Sequence, residues 1–254
     1  MNFRRFIAPW LFHAMVLLFL PCLHAAELFP TGSDWNYYKG QAEASSPDAA
    51  AWREPSFEAA NWLTGPTPLF YGKPLTGSEL ADMRGGYSSV FLRRTFLISP
   101  AAEVSELRLG TLSDDGFIAW INGREVARFN VPEGPLPFNA TALDEAAEPV
   151  AFETSVITNA YELLIPGANT LAVQAFNASL TDDSDFVIDA SVTSVVDNEP
   201  PILEELIPAP GSTLRELFTV EVHFSEAVQR VEASDLLING VAATNVTEVE
   251  LVKF

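Results

Sequence analysis

Leu107–Asn130, LRLGTLSDDGFIAWINGREVARFN, decides the fold. It reads as three short strands joined by two tight polar turns. Asp114-Asp115-Gly116 and Asn122-Gly123 are turn formers, because glycine accepts positive φ and Asn or Asp can bond back to its own backbone. Between them Phe117, Ala119 and Ile121 alternate with Ile118 and Trp120. A period of two with bulky residues on both faces predicts a strand covered on both sides, as in a β-sandwich layer. The plainest reading of the two aspartates is a solvated turn outside the sandwich. The functional reading makes them ligands.

The regions on either side extend the all-β pattern. From Glu27 to Val195 the chain is rich in Pro, Gly and aromatics and has almost no helical periodicity. Val90–Ile98, Tyr161–Ile165, Thr170–Phe176 and Phe186–Val192 are predicted strands. In the last, Phe186, Ile188, Ala190 and Val192 share a face, and Asp189 and Ser191 face the other way. Pro166-Gly167 with Asn169 supplies a turn, and one short helix is expected over Pro47–Trp52. Residues 131–149 form the longest irregular piece, with Glu133, Asp144, Glu145 and Glu148 among its prolines. It is expected to be either a functional loop or an arch crossing between two sheets.

The N-terminus reads as a secretory signal over residues 1–26. Arg4 and Arg5 precede an apolar run from Phe6 to Leu20, which ends in Pro21 and the small residues Ala25 and Ala26. Its removal takes with it the only cysteine, Cys22, so the rest of the chain has no disulfide and must rest on its core. No second apolar stretch is long enough to span a bilayer. The expected location is therefore secreted or cell-surface, with no membrane span after the signal is removed.

The chain carries 14 basic and 34 acidic residues, a formal charge of −20. Such a surface repels phosphate backbones, which excludes nucleic acid as a partner and leaves room for cation uptake. Asp197-Asn198-Glu199-Pro200-Pro201 is a polar, proline-rich break. It divides the remainder into a domain over 27–196 and a second unit over 197–254. In that unit Val220, Val222 and Phe224 alternate with Glu221 and His223, and Leu236 to Asn239-Gly240 reads as strand and turn. An immunoglobulin-like sandwich needs roughly 100 residues, so the second unit is read as partial.

A resemblance rests on many short matches: Trp35-Asn36-Tyr37, Trp52, Phe57, Trp62, Leu69-Phe70-Tyr71-Gly72, Phe91 to Phe96, the Asp-Asp-Gly turn, Ile121-Asn122-Gly123 and Asn169 to Val173. Together they resemble galactose-binding-like jelly-roll modules of large secreted bacterial proteins. Such proteins also carry lamin-tail, CotH-type or immunoglobulin-like domains. The resemblance covers about residues 30–195 and implies a jelly-roll β-sandwich. Pro200-Pro201, Val220–Val228 and Asp235–Gly240 are similar to bacterial immunoglobulin-like repeats, which serve as spacers. The Asp-Asp-Gly and Asn-Gly pair is also similar to PA14 modules, in whose lectin members paired aspartates coordinate Ca²⁺ and a sugar. Carried over, the resemblance makes Asp114 and Asp115 the candidate ligands for glycan and metal, with Asn122 a weaker addition.

Calcium takes about six to eight oxygens, so the two adjacent aspartates supply only part of a shell. Asp182, Asp183 and Asp185 form a second acidic turn that could hold calcium. Trp35, Trp52, Trp62, Tyr71 and Trp120 are candidate sugar platforms but read first as core, given the area each buries. For catalysis, only His223 remains once His13 and His24 leave with the signal. No Gly-x-Ser-x-Gly, His-Glu-x-x-His or phosphate-binding loop occurs. The sequence therefore reads as a non-catalytic secreted or cell-surface module that binds glycan or cell-surface polymer, with calcium as the only cofactor considered. The rival readings are a structural spacer without a small ligand and the N-terminal accessory region of a longer extracellular enzyme that carries other domains.

Overall fold

The computed structural model describes residues 24–98, 104–182, 184–196, 201–225, 228 and 231–247. Most of the expected signal therefore lies outside the described residues. So do Asp183 and the proline-rich boundary through Pro200. The chain divides into two compact units between Asn198 and Glu199. Among the described residues no helix is long and apolar enough to cross a membrane.

The first unit is an all-β sandwich of two six-stranded sheets. One sheet has the order β10 (Glu153–Thr158), β7 (Val104–Asp114), β12 (Phe186–Val196), β4 (Leu69–Tyr71), β5 (Ser78–Glu79). β1 (His24–Phe29) shares the β4 edge of β12. The other sheet runs β3 (Leu63–Pro66), β2 (Asp34–Lys39), β6 (Ser89–Ile98), β11 (Gly167–Phe176), β8 (Gly116–Ile121), β9 (Arg124–Phe129). Every pairing is antiparallel except that of β4 with β5. The last three residues of the expected signal, His24 to Ala26, belong to β1.

The alternation in β8 acts as its pattern requires. Phe117, Ala119 and Ile121 join the core between the sheets, together with Leu107, Leu109, Leu171, Val173, Phe186 and Ile188. Ile118 and Trp120 point the other way, into a second apolar layer with Trp52, Phe91, Phe176 and Val131. All six residues of β8 are buried. The second layer exists because two irregular stretches, around residues 44–62 and 131–142, lie across the outer face of the β3–β9 sheet. Arg93 holds the first stretch down: it is buried and donates to the carbonyls of Trp52 (2.7 Å), Glu54 (2.7 Å) and Pro55 (3.2 Å). Each large side chain buried in this layer contributes about 2 kcal/mol.

Residues 131–149 are the arch that carries the chain from β9 in one sheet to β10 in the other. Side chains of the sheet pin its backbone. Ser89 donates to Phe138 O (2.5 Å), Ser88 to Ala140 O (2.8 Å), and Asn130 to Asp144 O (2.6 Å).

Some expectations are corrected. Tyr161–Ile165 is no strand, because the segment begins with a 3₁₀ turn over Ala160–Glu162. The helix expected at Pro47–Trp52 is a 3₁₀ turn over Ala51–Arg53. Phe186, Ile188, Ala190 and Val192 do face the core together. Asp114-Asp115-Gly116 does not close a hairpin: β7 and β8 lie in different sheets, so this is the corner at which the chain changes layer. Asn122-Gly123 is a hairpin turn, with φ of 49° and 81°.

The second unit holds two two-stranded sheets among its described residues: β13 (Leu203–Ile207) with β14 (Glu221–Phe224), and β15 (Leu237–Ile238) with β16 (Val241–Ala242). Asn239 and Gly240 make the second turn at φ 54° and 79°.

Candidate functional site

The corner buries both aspartates, Asp114 at 3% and Asp115 at 1% exposure. A buried carboxylate is retained only when its charge is matched. Asp115 meets that demand with backbone. Its Oδ1 accepts from Ala146 N (2.7 Å) and its Oδ2 from Ala178 N (2.6 Å). Its own N–H donates to Phe176 O (3.1 Å), and its carbonyl accepts from Asn130 Nδ2 (3.2 Å). Asp115 thereby ties the arch and the β11 exit to the corner. Gly116 is needed there for space and not for positive φ, since a Cβ would stand 2.8 Å from Val131 Cγ1 and 2.9 Å from Asn130 O.

Asp114 meets the demand with a cation. Lys73 Nζ lies 3.0 Å from Asp114 Oδ2, 2.5 Å from Glu148 Oε1 and 2.5 Å from Asp185 Oδ2. Burial works against the charge on Lys73, but its hydrogen bonds to Asp185, Glu148 and Asp114 outweigh that and raise its pKa. Burial holds Asp114 above the usual carboxylate range despite Asp115 and Lys73. At Asp185 burial pushes upward, yet the hydrogen bonds from Lys73 and Ser184 keep its pKa below the usual range. Oxygens of Asp114, Glu148 and Asp185 lie within 4.8 Å of one another, close enough to share a metal ion. The Lys73 ammonium is in contact with all three.

Of the candidate metal ligands, the fold brings Asp114 and Asp185 together. Glu148 joins them from the arch. Asp115 is turned to the backbone. Asp182 is exposed and stands outside this group, its N–H donating to Ser179 Oγ (3.1 Å). Asn122 sits at the opposite end of β8 from the corner. Its side chain donates to Leu163 O (2.9 Å) and Asn169 Oδ1 (2.7 Å) and accepts from Thr170 N (2.9 Å). Lys73 had one sequence signal: it is the only basic residue between Arg53 and Arg84. Among the candidate platforms, Trp35, Trp52, Tyr71 and Trp120 are core, and Trp62 is half-buried.

Beside the corner, a groove of about 420 Å³ opens between the free edges of the two sheets, β9 and β10. Phe117 and Phe129, Ser113 of β7, Glu153 and Ser155 of β10, and Val150 just after the arch line it. Phe129 is 49% exposed, a large aromatic surface at the edge of a concave site.

No protein-family model and no curated protein matches the sequence. Among solved structures the chain is similar to a Bifidobacterium dentium beta-glucuronidase complexed with coumarin-3-O-glucuronide. Identity is 12% and the TM-score 0.44, over 72% of this chain and 32% of that one. It is also similar to an uncultured Clostridium sp. beta-glucuronidase (13%, TM-score 0.41, 80% and 33%) and to a Bacteroides uniformis beta-glucuronidase (14%, TM-score 0.40, 68% and 18%). The chain spans a third or less of the length of these proteins. At this level of similarity nothing about ligand or activity passes from them to this chain.

Proposed function

We propose that this chain is a non-catalytic exported module that binds a glycan or cell-surface polymer through its first unit. The observation that carries this reading is the groove between β9 and β10, where an exposed aromatic and several hydroxyl-bearing side chains converge. Concave sites that pair apolar surface with a few placed polar groups are where small ligands bind. The secretory pattern of residues 1–26 and the resemblance to galactose-binding-like jelly rolls agree with it. The non-catalytic part of this reading rests on the sequence, which has no Gly-x-Ser-x-Gly, His-Glu-x-x-His or phosphate-binding loop.

Calcium is not required in this reading. The Lys73 ammonium already stands among Asp114, Glu148 and Asp185, where a metal ion would sit. The Ca²⁺-lectin roles expected for Asp114, Asp115, Asp182, Asp183 and Asp185 therefore become the alternative arm of the test. A spacer role without a small ligand is favoured by one observation: the side chains of Asp115 and Asn122 are hydrogen-bonded within the fold and Asp114 is ion-paired with Lys73.

A glycan array run on the chain from Glu27 to Phe254, in Ca²⁺ and in EDTA, separates these readings. Binding that persists in EDTA is the expected result. Binding confined to Ca²⁺ supports the metal-dependent lectin, and binding to no glycan supports the spacer.

A further inference from the structure

The groove has an inward-facing row whose chemistry changes along the strands. On β7, Leu107 and Leu109 are fully buried in the sandwich core, and the next two positions on that face are Thr111 and Ser113. β10 repeats the change, since Ile157, Ser155 and Glu153 pair with Leu107, Leu109 and Thr111 and so share their face. Apolar residues would be expected throughout a row that closes a sandwich. Instead four polar side chains stand where the groove opens, and Ser113 Oγ is buried without a hydrogen-bond partner. An unmatched buried hydroxyl costs stability, and Ser113 carries one at the end of this row, beside the half-buried Ser155 and the exposed Glu153.

Opposite this row is the aromatic wall. Phe129 pairs with Phe117 across β8 and β9, with ring centroids 6.4 Å apart, but it is exposed where Phe117 is buried. β9 is the edge strand, so nothing in the sheet covers the ring on its outer side. The one cation lining the groove, Arg128, is already engaged. It makes a two-pronged pair with Glu125 (2.8 Å and 2.8 Å) and donates to the carbonyls of Pro132 and Gly134. Glu153 adds an acceptor with negative charge, on a chain of net charge −20.

Resting on the glycan-binding reading above, we propose that this groove is a subsite for a neutral pyranose ring. One C–H face of the sugar packs on Phe129, and its hydroxyls meet Ser155 and Glu153. An apolar ligand would leave those groups unmatched. An anionic sugar would meet Glu153 and a neutralised Arg128 in a repulsive field. The volume, about 420 Å³, falls in the range of small-ligand sites.

The test uses the chain from Glu27 to Phe254 and titrates methyl galactoside, methyl glucoside and methyl glucuronide, followed by protein-observed NMR. At least one neutral glycoside should bind, with shifts at Phe129 and Ser155, and the glucuronide should not. Phe129→Ala should weaken the neutral sugar about tenfold, the loss of one ring contact. Its unfolding midpoint serves as the check on folding. Glu153→Gln keeps the shape and removes the charge, and should admit the glucuronide. A neutral glycoside that binds equally well to wild type, Phe129→Ala and Glu153→Gln overturns this subsite and leaves the glycan-binding reading standing. Tighter binding of the glucuronide than of either neutral sugar overturns the neutral class. Binding of no glycan by the wild type, here and on the array, overturns both.

Discussion

Asp115 and Lys73 show how a polar residue at a corner can be structural. Asp115→Ala leaves the half-buried N–H groups of Ala146 and Ala178 without their acceptor. At about 1–3 kcal/mol for each group, the variant should lose about 3 kcal/mol, read by urea denaturation. Lys73→Met leaves Asp114 buried and uncompensated, and its cost depends on pH. Lys73 has a raised pKa, so its contribution is full below the unfolded value of about 10.4 and is lost as pH rises through the folded value. Asp185 has a depressed pKa, so its contribution is present above about 3.9 and is lost as pH falls through its lower folded value. Asp114, pushed up by burial, recovers stability when it takes a proton on acidification. The stability gap between wild type and Lys73→Met should therefore be widest near neutral pH and narrow toward both extremes. A gap that does not change with pH would show that Lys73 acts through packing alone.

At the scale of elements, the sequence made the strands legible where burial is two-sided or cleanly alternating. β8 and β12 carry their patterns in Phe117–Ile121 and Phe186–Val192, and both lie as read. β10 had no such signal: of Glu153–Thr158 only Ile157 is buried, because it is an edge strand with hydroxyl side chains facing a groove. The run Tyr161–Ile165 has strand-like composition but is spent on a 3₁₀ turn before Asn169, whose side chain bonds back to Ile165 N and O. The aspartate corner reads as a turn in the sequence, and the chain does turn there, from one sheet to the other. Its burial was not legible, because the groups that satisfy it come from Lys73, Ala146 and Ala178, far along the chain. Phe129 carries no signal in the sequence for a similar reason: its exposure follows from β9 having one neighbour, which is a fact of topology. Trp120 should be the most sensitive residue of the outer layer. It packs at 5.5 Å from Trp52 with the Arg53 guanidinium 4.0 Å over its ring. Trp120→Ala should cost about 4 kcal/mol in thermal or chemical unfolding, as for other buried aromatics.

For the whole molecule, an acidic chain with its own internal cation at the corner and a polar groove at the sandwich edge suits a neutral polymer better than an anionic one. Export with cleavage after Ala26 would start the mature chain at Glu27, inside β1, and leave Glu27 and Phe29 paired with Thr193 and Val192. N-terminal sequencing of the exported protein should read Glu27-Leu28-Phe29. If the groove binds glycan while the aspartate corner serves the fold, one glycan array in EDTA separates the two, comparing wild type, Phe129→Ala and Asp114→Asn, each checked for folding by circular dichroism. Wild type and Asp114→Asn should give the same glycan profile, and Phe129→Ala should lose it. A profile that vanishes in EDTA and in Asp114→Asn, but survives in Phe129→Ala, would contradict that assignment of roles.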